Sequence, residues 1–487
     1  MTADSTTLEN EFKSGDEAAA SALIEQLGPD LVLVGPAVER YCRDWHGDVT
    51  TGAVAVVRPR NTEEVSQAVR AIGALGLTVV PQGGNTGLVL GATPDRPGSQ
   101  VVISLERMTA IRRIDGDDFS AVVEAGVILS EFKDRVEEAG LYFPLALGAQ
   151  GSCRIGGNVS TNAGGINVLR YGMTRELVLG LEVVLPDGSI FDGLSTLRKD
   201  NRGIDLKQMF IGAEGTLGIV TAVSFKLMPP AEKVATALLG LGALSDAITL
   251  YRRARRDCCD LMSAFEFMPP MAFTLAQEAI PDLQLPMPGD YPAYVLLEIS
   301  GSGLVDIDDL MHRFLEGVME DGLVLDGVIA ASRNQARNLW LFREGMNEGQ
   351  AKRGAHLRTD VSVPLSRLPE FVEKAEAAIS AQLPDCLCVS YGHVGDGNVH
   401  LNVLPPGGLS QEEVAERIYA AKAVVNEVLD GFNGSISAEH GIGRLKKADF
   451  LARVPSTQLQ LLTAIKQAVD PAGIMNPGCQ LNFSADS

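Results

Sequence analysis

Two of the chain's six histidines, His393 and His400, lie seven positions apart in YGHVGDGNVHLN (391–402), and a third follows in SISAEHGIG (435–443). Asp396-Gly397 is a favoured two-residue turn between the apolar runs CLCVSY and VHLNVL, which predicts a β-hairpin. In that register His393 faces His400 and Tyr391 faces Asn402, with facing Cβ atoms about 5 Å apart. All four side chains share one face, because strand side chains alternate. Two imidazoles at that separation suit a divalent metal. Glu439 would complete a set of two histidines and one carboxylate with positions left open to a substrate, a pattern that favours zinc, manganese or iron over a closed structural site.

The elements that would position such a centre can be read outward from it. VAVVRP, beginning at Val54, reads as a strand; TEEVSQAVRAIGALG reads as a helix with Val65, Ala68, Val69 and Ile72 on one face; LTVVP is a strand that runs straight into PQGGNTG (81–87). This order is that of nucleotide-binding α/β units, and consecutive N–H groups of a glycine loop can form an anion-binding concavity. LGAQGSCRIGGNVSTNAGG (147–165) adds six glycines and GAEGTLGI (212–219) a third loop. Neither GxGxxG nor GxxxxGK[ST] occurs, which argues against a Rossmann fingerprint and a P-loop. Strands are expected at 101–105 and 121–127, with a hairpin at 181–192. Proline pairs at 229–230 and 269–270 bracket a change to strands such as YVLLEIS and CVSYGH alternating with charged helices at 305–320 and 366–382, the pattern of an α+β domain with an antiparallel sheet. Residues 8–46 read as short helices, and 445–470 as helix broken by DPAGIMNPG. The expected division is an N-terminal helical segment (1–50), a cofactor domain (51–229), a substrate or cap domain (230–430) and a C-terminal helical segment closing the active site (431–487).

A chain of 487 residues exceeds one ordinary core. With 62 acidic against 41 basic residues and no Lys/Arg block, nucleic acid and anionic membrane are poor partners, and an anionic substrate would need a local cationic pocket. The seven cysteines form no CxxC pair, which suits a reducing compartment, and buried thiols are expected for Cys258, Cys259, Cys386 and Cys388. MTADSTTLENEFKSGDE reads as neither a secretory signal nor a transit peptide, and no apolar run reaches the ~18 residues of a span, so a soluble cytoplasmic chain is expected.

PQGGNTG, the 147–165 segment, DLKQMFIGAEGTLGIVT, GHVGDGNVHLN and SAEHGIG, in this order, resemble the FAD-linked 2-hydroxy-acid dehydrogenases of the vanillyl-alcohol-oxidase superfamily, over roughly residues 50–480. Within that family FPLALGAQGSC, LRKDNRG and DLKQMFIG are most similar to D-2-hydroxyglutarate dehydrogenases, with D-lactate dehydrogenases and the glycolate oxidase flavin subunit as looser relatives. The resemblance implies an α+β fold: a PCMH-type FAD-binding domain plus a cap domain whose antiparallel sheet is flanked by helices. It places the FAD pyrophosphate on Pro81, Gly83, Gly84, Asn85, Thr86 and Gly87. The remaining cofactor would lie along Gly148, Ser152, Gly156, Gly157, Asn158, Thr161 and Gly164, with Glu214, Gly215, Gly218 and Ile219. Members with covalent flavin carry a histidine where Asn85 stands, so FAD is expected to be non-covalent and Cys153 a packed thiol.

The same resemblance implies metal ligands at His393, His400 and Glu439, with zinc the expected ion, a general base at His440 and a substrate contact at Asn402. WLFREGMNEGQAKRGAHLRTDVSVP resembles the family's substrate-carboxylate stretch, which assigns Arg343, Asn347 and Arg358 to the substrate. Asn347 stands where D-2-hydroxyglutarate dehydrogenases carry threonine and Arg358 where they carry lysine, which exchanges a point charge for a planar fork. The implied activity is oxidation of a D-2-hydroxy acid, foremost D-2-hydroxyglutarate, with D-lactate, D-malate and glycolate as alternatives. Its acceptor would be an electron-transfer flavoprotein, and a homo-oligomer is left open. From the residues alone, a flavin-free metal-dependent hydrolase and a flavin-binding electron-transfer subunit remain rivals; the intact histidine and glutamate set argues against the second.

Overall fold

Asn61 accepts the Glu64 N–H and so starts the helix Thr62–Ala74, which buries Val65, Ala68, Val69 and Ile72, the expected face. The computed structural model containing it describes residues 5–96, 98–288 and 290–483, with side chains from Asp16 onward. The chain divides into two units. One comprises Met1–Gly165, Gly172–Pro229 and Glu439–Ser487; the other comprises Ile166–Tyr171 and Pro230–Ala438. The break at Pro229 and Pro230 falls on the first proline pair.

In the first unit, β1 (Val32–Leu33), β2 (Ala55–Val57), β3 (Thr78–Gln82) and β4 (Gln100–Ser104) form a sheet in the order β1-β2-β4-β3. β2 and β3 flank β4 in parallel, and β1 is antiparallel at the edge. A second sheet is wholly antiparallel: β5 (Ile111–Asp115), β6 (Ser120–Glu124), β7 (Val178–Val184), β8 (Ile190–Gly193) and β9 (Ile219–Lys226), in the order β5-β6-β9-β7-β8. β9 is buried along nearly its whole length, so its run IVTAV shows no alternation to mark it in the sequence. The chain's end returns to the first sheet, where the Asn476 N–H donates to Val79 O at 2.8 Å.

The second unit contains one antiparallel sheet of β10 (Lys233–Leu241), β11 (Met262–Met268), β12 (Ala293–Gly301), β13 (Asp326–Ile329), β14 (Val361–Ser362), β15 (Leu387–His393) and β16 (Asn398–Leu404). Their order is β13-β10-β12-β11-β15-β16-β14. Helices Leu244–Asp257, Ile307–Glu320, Leu368–Gln382 and Gln411–Asp430 cover one face, over Phe265, Val295, Val399, Leu401 and Val403. Helices Met271–Ala279 and Arg333–Lys352 pack on the other, over Leu238, Leu296, Val389 and Leu404.

All seven cysteines are free, but of the four thiols expected to be buried only Cys258 is. Cys259, which follows the C-cap of helix Leu244–Asp257 with a left-handed φ of 50°, is exposed, and Cys386 and Cys388 are partly exposed. No described helix is long and apolar enough to cross a membrane.

Candidate active site

The histidine hairpin forms, with a register different from the expected one. Tyr391 pairs with His400, Val389 with Asn402 and Leu387 with Leu404. The turn is longer than Asp396-Gly397: β15 ends at His393 and β16 begins at Asn398. Val394 is the cause, because its side chain is fully buried in the helix-covered core and its N–H donates to Phe265 O at 3.1 Å, which draws it out of the hairpin ladder. Gly397 then takes a φ of 79°, and a Cβ there would lie 2.4 Å from the Val363 carbonyl oxygen, so both conformation and space require glycine. A slip of two residues preserves the face of every side chain. His393 and His400 are therefore diagonal neighbours, with ring centroids 5.9 Å apart and planes at 70°. Tyr391 and Asn402, also diagonal, are joined by a 3.2 Å bond from Asn402 Nδ2 to the phenol oxygen.

The helix Arg333–Lys352 crosses this face as a ladder. Trp340 Nε1 donates to Glu298 Oε2 of β12 at 3.0 Å, and Arg343 Nε to Glu266 Oε2 of β11 at 2.8 Å. Asn347 Oδ1 accepts from Tyr391 of β15 at 2.6 Å, and Gln350 Oε1 from Asn402 of β16 at 2.9 Å. The four positions are spaced by three, four and three residues, one helical face. Ten residues rise about 15 Å, and three strand spacings span about 14 Å, so the helix meets one strand per turn.

The ladder defines what each candidate can do. Arg343 is 6% exposed, and its guanidinium carbon stands 4.7 Å over the Tyr391 ring. Among the described residues its Nη groups find no protein acceptor. Burial pushes the Tyr391 phenol up against the pull of Arg343, so the hydroxyl stays protonated and donates to Asn347. Asn402, expected as a substrate contact, has its amide nitrogen engaged by Gln350 and Tyr391, and its Oδ1 accepts the Thr359 N–H at 3.2 Å. It therefore acts on the phenol and the strand rather than presenting a free amide. Arg358 is exposed, with Nε 3.3 Å from His356 Nε2; burial lowers the His356 imidazole, whose neutral form can accept that bond.

His393 is 6% exposed, its Nε2 3.7 Å from Glu266 Oε2 and its Nδ1 3.7 Å from Asp396 Oδ2, while His400 Nδ1 lies 3.3 Å from Thr359 O. Glu439 belongs to the first unit, where its Oε1 accepts the Gly165 N–H at 3.0 Å. Among the described residues no three His, Cys, Asp or Glu side chains converge as a metal-holding group. The donor chemistry of the two imidazoles still fits an ion, since N–metal bonds of about 2.1 Å can be met by rings 5.9 Å apart. Glu439 and His440 lie in a bend.

In the first unit the glycine loops come together. A Cβ on Gly84 would lie 2.2 Å from Ser152 O, one on Gly83 3.4 Å from Gly157 N, and one on Gly215 2.8 Å from Pro81 Cγ. The N–H groups of Gly83, Gly84, Asn85, Thr86 and Gly87 donate to no protein acceptor among the described residues. Five consecutive donors, following the carboxyl end of β3, form a cradle suited to a pyrophosphate. Asn158 Oδ1 is buried without a partner beside them, a second polar group suited to a ligand. Asn85 takes a left-handed φ of 54° that asparagine tolerates, and its Nδ2 donates to Arg43 O at 2.7 Å.

Glu214, expected along the cofactor, has its carboxylate engaged by the protein. Its carboxylate accepts the N–H groups of Ile442 and Gly443 and the Gln480 amide, so it anchors the segment after His440. Burial pushes this carboxyl up, opposed by those donors. The Cys153 thiol is buried and raised by desolvation, as expected of a packed side chain.

Comparisons with known proteins show the family. Residues 53–193 match the FAD binding domain family, and residues 230–479 match the family of FAD linked oxidases, C-terminal domain. The chain is 40% identical over 466 residues to mitochondrial D-2-hydroxyglutarate dehydrogenase of Bos taurus, covering 95% of this chain and 83% of that one. It is 37% identical over 462 residues to D-2-hydroxyglutarate dehydrogenase of Xanthomonas citri pv. viticola, covering 93% and 95%. Among solved structures, p-cresol methylhydroxylase superposes with a TM-score of 0.74 at 19% identity, covering 96% of this chain and 97% of that one; this likeness concerns the fold. Together these define a flavin-dependent dehydrogenase with a PCMH-type FAD-binding domain and an antiparallel cap domain. The chain belongs to the FAD-linked 2-hydroxy-acid dehydrogenase family, among the relatives of D-2-hydroxyglutarate dehydrogenase. Membership sets aside the flavin-free hydrolase.

Sequence reading missed Glu266, Glu298, Trp340 and Gln350. Two signals were available. Each glutamate is a lone charge in an otherwise apolar strand, SAFEFM and YVLLEIS, and the polar helix positions repeat at helical spacing.

Proposed function

We propose that this dehydrogenase oxidises D-2-hydroxyglutarate to the 2-oxo acid with metal assistance. The observation that carries the reading is Arg343, a buried guanidinium clamped by Glu266 and Tyr391 whose Nη edge has no protein acceptor among the described residues. A substrate with a second carboxylate supplies that acceptor bidentately. The names of the relatives at 37–40% identity support the same choice.

His393, His400 and Glu439 would hold the divalent ion, zinc being our choice for two imidazoles and a carboxylate. When bound, the ion supplies Lewis-acid polarisation and the flavin the two-electron acceptor. The protein's own part is positioning and proton transfer. Arg343 fixes the distal carboxylate, Asn347 and Arg358 border it, and Asn402 keeps the Tyr391 platform in place. His440 takes the proton from the substrate 2-hydroxyl oxygen as general base. An electron-transfer flavoprotein is the proposed acceptor.

Arg343→Ala should lower kcat/KM for D-2-hydroxyglutarate by roughly one to two orders of magnitude, since a charge-assisted bond contributes about 1.5 to 3 kcal/mol. D-lactate, with no second carboxylate, should be affected far less. Anaerobic flavin reduction with both acids measures this, and equal losses would move Arg343 to the shared carboxylate or the scaffold.

FAD should be held without a covalent bond, because Asn85 takes the place of a linking histidine. Acid precipitation should leave the yellow colour in the supernatant, and colour in the pellet would refute the assignment.

A further inference from the structure

The direction of Arg343 is set by a residue outside the expected site. Glu266 is 1% exposed in β11, and its Oε2 accepts Arg343 Nε at 2.8 Å. The same oxygen lies 3.7 Å from His393 Nε2, beyond hydrogen-bond length, so its firm partner is the arginine. Tyr391 supports the guanidinium from its face. Held at Nε and from beneath, the group presents its two Nη nitrogens as a fork, the geometry that pairs a carboxylate. Without the glutamate, this buried cation would lack its counter-charge and could turn about its side-chain torsions.

We propose that Glu266 is a positioning residue for substrate specificity: by fixing the Arg343 fork, it gives the enzyme its preference for a dicarboxylic over a monocarboxylic D-2-hydroxy acid. This rests on the reading of Arg343 as partner of the second carboxylate. Glu266 touches no substrate itself. The test separates this role from a purely structural tie between helix Arg333–Lys352 and the sheet.

The experiment is anaerobic reduction of bound FAD by D-2-hydroxyglutarate and by D-lactate in wild type, Glu266→Ala and Glu266→Gln, with melting temperature and flavin content measured alongside. Glu266→Ala should lower kcat/KM for the diacid by about 10- to 100-fold, mostly through KM, and leave D-lactate within about threefold. Glu266→Gln keeps an amide oxygen for Arg343 Nε and should restore most of the diacid preference. If the alanine variant yields no folded flavoprotein, the glutamine variant decides alone: retained preference supports the proposal and lost preference overturns it. Equal losses on both acids, unrelieved by glutamine, make Glu266 a scaffold residue and overturn this inference while leaving the functional reading intact. Wild-type flavin that D-2-hydroxyglutarate reduces no better than D-lactate overturns the reading, and the inference with it.

Discussion

His440→Asn should slow reduction of the flavin by D-2-hydroxyglutarate by about 10²- to 10⁴-fold, the usual loss for a positioned general base, while FAD stays bound. Retention follows from the cradle, whose donors come from 83–87 and whose neighbours come from 147–165, with no contribution required of His440. Glu439→Gln is the contrasting variant. The amide oxygen of glutamine can still accept the Gly165 N–H that Glu439 Oε1 accepts, so the backbone anchor is kept and only the charge is lost. Metal occupancy should fall, with activity partly recovered by excess metal. Metal analysis and anaerobic stopped-flow reduction read both variants. A His440→Asn protein that loses metal beside a Glu439→Gln protein that keeps it would exchange the two roles.

Removal of the metal, or His393→Ala or His400→Ala, should reduce turnover by at least about 10³-fold, since Lewis-acid stabilisation is worth several kcal/mol. The yellow flavin spectrum should be unchanged. The physical reason is the division of the chain: the two histidines stand on β15 and β16 of the second unit, whereas the glycine cradle belongs to the first. His400 is partly exposed and His393 nearly buried, so the His400 variant is the milder structural change and the cleaner test. Protein of verified low metal content that kept full kcat would end the ligand assignment.

The sequence by itself determined the local elements and the chemistry they carry. The helix Thr62–Ala74, the strand feeding PQGGNTG and the faces of the histidine hairpin follow from side-chain period and glycine turns, while the family follows from the resemblance of its ordered motifs. Even the misjudged turn left His393, His400, Tyr391 and Asn402 on one face, because a two-residue slip is invisible to a period of two. Only tertiary packing decided the register, since the burial of Val394 comes from helices far away in the chain. Packing also decided that Glu214 anchors residues 442–443, that Asn402 holds a phenol, and that Glu266 holds Arg343 across 77 residues of sequence. The first of those pairings joins two loops, the second joins two strands of one hairpin, and the third joins strand to helix. Local propensity carries no information about which buried donor meets which acceptor; for Glu266 and Arg343 the helix crossing the sheet at one strand per turn makes that choice.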